Sequence, residues 1–113
     1  MRVYNKKDFL DLPEGTIFCM GVKWAFDNLS IKGESWKESS DFFYTDLCWI
    51  ESEGSHEHFD FLEDSLKNGI SYGINKSTSR DGMFDDNDVF LVFEKEDLEY
   101  LIHICKIATD VSK

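Results

Sequence analysis

The chain has 113 residues, of which 42% are hydrophobic and 15% aromatic, enough to bury one ordinary core in a single domain spanning 1–113. A disordered acidic chain lacks such aromatic content. Acidic residues outnumber basic residues by 23 to 12, giving a net charge of −11. This surplus disfavours direct binding to nucleic acids or anionic membranes, because both depend on Lys and Arg, and it favours basic partners.

The first half of the chain predicts a short helix followed by three strands. The stretch "NKKDFLDLPEG" (5–15) indicates a helix that Asn5 caps, with Asp8 at the third helical position, and then a turn through Pro13. Strand patterns follow at 16–21, 23–33 and 41–51. The last is rich in aromatic residues on both faces, so we expect a central strand that is covered on both sides.

The second half predicts two longer helices around a buried strand. Residues 55–69 have helical spacing and end at Asn68-Gly69, "ISYGI" (70–74) is consistent with a short strand, and 88–94 is a continuous apolar run. Residues 95–111 predict a final helix. Its apolar stripe consists of Leu98, Leu101, Ile102, Cys105 and Ala108.

Consecutive strands near the start of the chain imply antiparallel pairing. We therefore expect an α+β fold, with a small antiparallel β-sheet and about three helices packed on it in a single compact domain. Three cysteines, odd in number and each among apolar neighbours, predict buried free thiols in a reducing compartment. No stretch resembles a signal peptide or a membrane span, so we expect a cytoplasmic protein.

The acidic residues are clustered along the sequence. Seventeen of the 23 lie in two windows, 38–64 and 81–99, which contain only one basic residue, Lys95. This distribution predicts a polarised electrostatic field. The alternative is that the two windows form two ordinary solvated faces.

The stretch "RDGMFDDNDVF" (80–90) has four aspartates within eight positions. A calcium-binding EF-hand loop counted from Asp85 needs a ligand at its fifth position and Gly at its sixth, where this sequence has Val89 and Phe90. A two-metal nuclease motif also fails, because Phe93 stands two residues before Lys95. The simplest interpretation is a turn at Asp81-Gly82 and acidic residues that precede a hydrophobic strand. We predict no catalytic residue, metal or cofactor, and keep a metal-dependent enzyme using the Asp81–Asp88 cluster as an alternative.

The segment "INKSTSRDG" (74–82) is cationic and rich in hydroxyl groups. Hydroxyls, backbone N–H groups and a guanidinium together suit an anion. A second alternative is therefore a protein that sequesters a nucleotide or another small ligand. Its candidate ligand-binding residues are Lys76, Ser77, Thr78, Ser79 and Arg80.

Four segments together resemble a group of small uncharacterised phage and prophage accessory proteins. They are "LPEGTIF", "DNLSIKGES", "DFFYTDL" and "FDDNDVFLVFEKEDLEYL". The resemblance runs over most of the chain and lies in framework segments, so it transfers no catalytic residue. It implies a mobile-element protein that binds a host factor, as inhibitors of restriction or CRISPR nucleases do.

The leading hypothesis is a non-enzymatic interaction protein whose acidic surface binds and inhibits a basic host protein that handles nucleic acid. Clustered carboxylates can compete for a DNA-binding groove, because duplex DNA has one charge per about 1.7 Å. The sequence leaves the choice between monomer and homodimer open. The candidate partner-binding residues are Asp41, Asp46, Glu51, Glu53, Asp81, Asp85, Asp86 and Asp88, with Trp36 as an apolar anchor.

Overall fold

The computed structural model describes residues 1–22, 25–49 and 55–111, and these residues form a six-stranded antiparallel sheet and three helices. The strands are β1 (Arg2–Asn5), β2 (Ile17–Val22), β3 (Ala25–Trp36), β4 (Asp41–Asp46), β5 (Ser79–Arg80) and β6 (Val89–Val92). The helices are α1 (Lys6–Phe9), α2 (Ser55–Asn68) and α3 (Lys95–Val111). The predicted α+β class with an antiparallel sheet is confirmed.

The strand order is β1-β6-β2-β3-β4-β5. Strands β2, β3 and β4 form a meander, in which Phe18 pairs with Ser30 and Ser30 pairs with Asp46. Strand β6 lies between β1 and β2, so the last strand of the chain pairs with the first residues. This insertion joins the two ends of the chain into one sheet.

Helix α1 supplies the apolar side chains that close the core. Asn5 caps it by accepting a hydrogen bond from the backbone N–H of Asp8 at 2.8 Å, as predicted. Phe9 is fully buried and stacks on Phe90 with ring centroids 3.9 Å apart. The buried core consists of Phe9, Leu10, Phe18, Phe42, Phe90 and Val92. Burying each such side chain contributes about 1.5–3 kcal/mol relative to leaving it exposed.

Two buried lysines border this core. The Lys6 ammonium lies 5.6 Å from the centre of the Phe42 ring, and the Lys32 ammonium lies 5.7 Å from that of Phe9. Lys32 donates a hydrogen bond to the Ser35 hydroxyl at 2.9 Å, and burial lowers its pKa. Both cations therefore combine aromatic contacts with hydrogen-bonding partners, which reduces the cost of burying them.

Several strands differ from the predicted elements. Strands β1 and β5 were not predicted, and residues 70–74 form no strand. Strand β4 ends at Asp46, earlier than the predicted 51. Strand β5 has only two residues and pairs Arg80 with Phe43, so its existence depends on a neighbour rather than on its own sequence.

Helix α3 differs from the expectation that its apolar stripe packs on the sheet. Leu98 and Leu101 are half-buried, whereas Ile102 and Cys105 are exposed. No described residue of α3 is buried. Of the three helices, only α1 contributes described side chains to the core.

The cysteines agree only in part with their prediction. Cys19, Cys48 and Cys105 are free thiols, as expected, but only Cys19 is half-buried and the other two are exposed. The expectation of burial was therefore wrong for Cys48 and Cys105.

None of the helices in the described ranges combines the length and the apolar character that crossing a bilayer requires.

Candidate functional site

An acidic cleft opens on the face of the sheet that α1 covers, next to the core. Its volume is about 250 Å³. Phe18, Ser30 and Asp46 lie side by side across three strands and form its base, because they are register partners. The described residues that line the cleft are Phe18, Met20, Asp27, Asn28, Ser30, Tyr44, Asp46, Asp81 and Met83.

A β-bulge brings two successive residues of β3 into this cleft. Cys19 pairs with Leu29 and Gly21 pairs with Phe26, so Met20 faces two residues, Asp27 and Asn28. In a regular strand, neighbouring side chains point to opposite faces, and a bulge breaks this alternation. The extra residue thus lets both polar side chains line the same cleft.

Tyr44 shares the cleft with three carboxylates that affect its hydroxyl group. Burial raises the pKa of this hydroxyl, and three nearby carboxylates raise it further. The carboxylates are those of Asp46, Asp81 and Asp27. The phenol therefore remains protonated and can both donate and accept hydrogen bonds.

The three carboxylates differ in how far their charge is neutralised. Asp81 accepts a hydrogen bond from Lys6 at 3.1 Å, whereas within the described residues neither Asp27 nor Asp46 forms an ion pair. Asp46 accepts from the Asn28 amide at 3.3 Å and from the Cys48 backbone at 2.9 Å. Because both donors are neutral, they orient the Asp46 carboxylate without compensating its negative charge. The cleft is therefore a negative site in which hydrogen bonds orient Asp46.

Apolar groups form the rest of the cleft. Met20 and Phe18 line it from β2, and Met83 lines it from the segment after β5. Thioethers adapt to irregular apolar shapes, and an aromatic ring beside carboxylates attracts cations. This arrangement suits a positively charged group at the end of an apolar stem, as in Lys or Arg.

Two of the predicted partner-binding residues, Asp46 and Asp81, meet at this cleft although 34 residues separate them in the chain. Asp41 lies elsewhere and is almost completely buried. Its carboxylate accepts hydrogen bonds from Arg80, from the Gly82 backbone at 3.0 Å and from the Phe42 backbone at 2.9 Å. Asp41 is therefore part of the internal structure and not of the acidic surface on which we expected it.

The pKa of Asp41 reflects competition between burial and these hydrogen bonds. Burial acts to raise the pKa, but the hydrogen bonds from Gly82, Arg80 and Phe42 outweigh it, so the pKa is lowered. The carboxylate is ionised at neutral pH. It anchors β5 to the beginning of β4.

The remaining aspartates of 80–90 form the turn that precedes β6. Asp85 is exposed and accepts from the Asn87 backbone at 2.9 Å, and Asp86 is exposed and accepts from the Ser40 hydroxyl. Asp88 is half-buried, 3.8 Å from Lys6, and burial raises its pKa. The turn is formed at Asp86-Asn87, and no turn is formed at the predicted Asp81-Gly82. Asp85 and Asp86 remain available as surface charges beyond the cleft.

Three other predicted residues lie away from the cleft or outside the described ranges. Glu51 and Glu53 lie outside the described residues. Trp36 is half-buried and meets the Phe43 ring edge-on at 5.1 Å. It lines a separate hollow of about 340 Å³ together with Ser39, Asp41, Phe43 and Arg80.

The cationic segment 74–82 is partly structural. Asn75 is buried and donates to the Asp46 carbonyl at 2.7 Å, whereas Lys76 and Thr78 are exposed. Ser79 and Arg80 form β5. The Arg80 guanidinium binds the Asp41 carboxylate and lies 5.3 Å from the Phe84 ring centre. Its charge is thus already compensated by an internal partner.

Sequence reasoning missed Asp27, Tyr44, Met20 and Met83. In a regular strand over 23–33, Asp27 and Leu29 would point to the same face, and only the bulge brings Asp27 and Asn28 together. The sequence around Tyr44 indicated a strand but no functional role for this residue. No pattern in the sequence indicates the bulge except Gly21, whose position leaves no room for a Cβ beside Val89.

Groups of three or more His, Cys, Asp or Glu side chains that are close enough to hold a metal ion do not occur among the described residues. In the comparisons with known proteins, no family model, no curated protein and no solved structure matches the chain.

Proposed function

We propose that this protein is a non-enzymatic interaction protein that binds a basic partner protein, and that the acidic cleft receives an Arg or Lys side chain of that partner. The observation that carries the proposal is that Asp27, Asp46 and Asp81 line one cleft together with Tyr44. Among the described residues, Lys6 pairs with Asp81, whereas neither Asp27 nor Asp46 forms an ion pair that would compete with an inserted cation.

The size of the cleft favours a side chain over a small-molecule ligand. Ligand pockets measure about 300–1,000 Å³, whereas this cleft holds about 250 Å³. A guanidinium is planar, stacks on an aromatic ring and pairs with a carboxylate through two hydrogen bonds. The Tyr44 ring beside the Asp46 carboxylate offers both contacts to one inserted group.

The charge of the whole chain supports the same partner chemistry. A net charge of −11 attracts a basic surface over distances longer than a contact. Exposed Asp85 and Asp86 extend the negative region beyond the cleft. Long-range attraction raises the association rate and is screened by salt, whereas the contacts inside the cleft govern dissociation.

We propose further that the partner is a host protein that handles nucleic acid, such as a defence nuclease, and that binding inhibits it in the cytoplasm. Such proteins present rows of Lys and Arg to phosphates, and a carboxylate-rich cleft competes for those same side chains. The resemblance to phage accessory proteins and the free thiols are consistent with this context. Affinity capture from a bacterial lysate at low salt should recover a basic protein; recovery of none would contradict this assignment.

The cleft itself is tested with a defined probe. A short peptide with alternating Arg and Gly residues should bind the protein, whereas the matching Glu peptide should not. The double variant Asp27→Asn/Asp46→Asn keeps the shape of both side chains and should weaken binding at least about tenfold, equivalent to about 1.4 kcal/mol. Isothermal titration calorimetry at two salt concentrations measures the change.

The matched control is Glu63→Gln/Glu99→Gln, which removes two charges from exposed positions on α2 and α3. Both double variants change the net charge equally. We expect the control to lose less than about threefold, because it affects only long-range attraction. Equal losses in the two variants, or no peptide binding at all, would overturn the role of the cleft.

A second candidate function is the sequestration of a small anionic ligand by the segment 74–82. The observation in its favour is the hollow of about 340 Å³ that combines Trp36 and Phe43 with Arg80. The Arg80–Asp41 pair counts against it, since the guanidinium is already engaged. A thermal-shift screen with nucleotides separates the candidates: a rise in melting temperature supports this one.

A metal-dependent enzyme built on Asp81–Asp88 is the third candidate and has the least support. Asp81 and Asp88 both face the Lys6 ammonium, which repels a divalent cation. Titration with Mg²⁺, Mn²⁺ and Ca²⁺ should leave the melting temperature unchanged. A metal-dependent rise that Asp85→Asn/Asp86→Asn abolishes would revive this candidate.

A further inference from the structure

Helix α3 has a second apolar stripe, distinct from the stripe through Leu98 and bordered on one edge by polar residues. Its four residues recur at intervals of four, three and four positions, which is the spacing of a coiled-coil seam. They are Tyr100 (65% exposed), Ile104 (39%), Ile107 (51%) and Val111 (74%), and we refer to them as the α3 seam.

The α3 seam is too apolar for a helix face that remains in water. Surface helices normally have one apolar stripe, which faces the core. In α3 only Leu98 and Leu101 of the first stripe are half-buried, and the seam lies on another side of the helix. Its four side chains expose roughly 400 Å² of apolar surface, within the size of patches that are often functional.

We infer that the α3 seams of two copies of this chain pair antiparallel and form a homodimer. In this arrangement Ile104 packs against Ile107 of the second copy. Tyr100, the largest residue of the seam, packs against Val111, the smallest. Because both contacts are reciprocal, one two-fold axis near Cys105 and Lys106 generates the whole interface.

Charge argues for a second copy as the occupant and against the basic partner. The seam contains no charged residue, so a basic surface gains nothing there. Two chains of charge −11 repel each other on most faces, and an uncharged stripe is where they can approach most closely. Antiparallel helices also align their dipoles favourably.

The polar residues that flank the seam also favour antiparallel pairing of the two helices. His103 and Asp110 lie seven positions apart along one edge, so antiparallel pairing places His103 beside Asp110 of the second copy. This contact forms twice across the two-fold axis. A parallel arrangement would not bring the two residues together.

The buried interface area determines how tightly the dimer is expected to associate. Two seams together bury roughly 800 Å², below the about 1,200–2,000 Å² of stable interfaces. The dimer should therefore be weak and depend on concentration. Sedimentation equilibrium from about 10 µM to about 1 mM, in moderate salt, should show the mass rising from 13.2 kDa towards twice that value.

The decisive variant is Ile107→Asp, and its matched control is Ile102→Asp. Both residues are about half-exposed on the same helix, at 51% and 57%, but only Ile107 belongs to the seam. We expect Ile107→Asp to remain a monomer at every concentration and Ile102→Asp to dimerise like the unchanged protein. Circular dichroism verifies that both variants fold. A monomeric unchanged protein, or equal loss in both variants, would overturn the proposal.

A charge exchange tests the antiparallel orientation. His103→Glu alone should raise the dimer dissociation constant severalfold, because Glu then faces Asp110 of the second copy. Adding Asp110→Lys should restore the dimer, since each Glu now faces a Lys. If the double variant stays as weak as the single one, the antiparallel pairing is refuted. These outcomes are independent of peptide binding at the acidic cleft.

Discussion

The ammonium group of Lys6 lies 3.1 Å from the carboxylate of Asp81, and both side chains are almost completely buried. The two residues are 75 positions apart, and their contact ties α1 to the segment before β6. Asp81 also lines the acidic cleft, where its charge reaches Tyr44. One ion pair thus connects the stability of the core to the electrostatics of the site.

Removal of Lys6 should be strongly destabilising. Lys6→Met leaves the Asp81 carboxylate buried without its cation, which costs about 3–5 kcal/mol in comparable pairs. The double variant Lys6→Met/Asp81→Asn removes the unpaired charge and should recover at least half of the loss. Urea denaturation measures both free energies of unfolding.

The control for this prediction is the exposed pair of Lys37 and Asp11, in which the charged groups are 2.8 Å apart. Lys37→Met should cost less than about 1 kcal/mol, because water replaces an exposed partner. A similar cost for the two lysine variants would mean that burial of the Lys6 pair has no energetic consequence.

Asp41 predicts a dependence of stability on pH. Its pKa in the folded protein is lowered, because hydrogen bonds from Gly82, Arg80 and Phe42 outweigh the effect of burial. Folding therefore favours the ionised form. The resulting stability is fully present above the ordinary value of 3.8 and is lost as pH falls through the lower folded value.

Asp41→Asn removes this titration and should cost about 2 kcal/mol at pH 7, because the Arg80 guanidinium loses its charged acceptor. Below pH 3 the difference between the variant and the unchanged protein should shrink. Free energies of unfolding measured between pH 2.5 and 7 provide the comparison; a difference that stays constant over this range would contradict the assignment.

Gly21 should not tolerate a side chain. A Cβ at this position would collide with a methyl group of Val89 and approach the Val89 carbonyl oxygen to 3.1 Å and the Phe26 ring to 3.2 Å. Gly21→Ala should therefore destabilise the protein by about 1–3 kcal/mol and disturb the bulge that orients Asp27.

The control is Gly73→Ala, where a Cβ meets nothing within 4 Å. The backbone there does not need a positive φ, so alanine should be neutral or stabilise by about 0.4–1 kcal/mol through the unfolded state. Thermal unfolding and peptide binding should both respond at Gly21 and not at Gly73. The proposal that the bulge forms the cleft fails if Gly21→Ala unfolds normally and binds the peptide unchanged.

Tyr44 tests how the cleft holds a cation. If the ring face carries the contact, Tyr44→Phe should bind the Arg peptide within about threefold of the unchanged protein, and Tyr44→Leu should lose about tenfold. The dependence on salt should be the same in both variants, since neither changes the charge. A loss in Tyr44→Phe as large as in Tyr44→Leu would assign the contact to the hydroxyl instead.

Much of the secondary structure could be predicted because it depends on local chemistry. The cap at Asn5, the end of α2 at Gly69 and the apolar run in β6 each have a short-range cause in neighbouring residues. Strands β1 and β5 have no such signal. They exist because β6 and β4 offer them free edges with which to form hydrogen bonds.

The sequence predicted only the negative charge of the candidate site. The sequence identified Asp46 and Asp81 as acidic residues without indicating that they face one cleft. Asp41 belongs to the same chemical class, yet the fold buries it beneath Arg80. Composition does not reveal this difference, because an aspartate contributes equally to the net charge whether it is paired in the interior or exposed on the surface.

By itself, the sequence determined the acidic character of this protein, its α+β class and the positions of its longer helices, because these follow from composition and from periodic patterns between near neighbours. The tertiary structure alone decided which aspartates meet at Tyr44, which are neutralised by Lys6 and Arg80, and that the α3 seam stays exposed. Those properties depend on distances between residues that are remote in the chain, and such distances exist only after the sheet has formed.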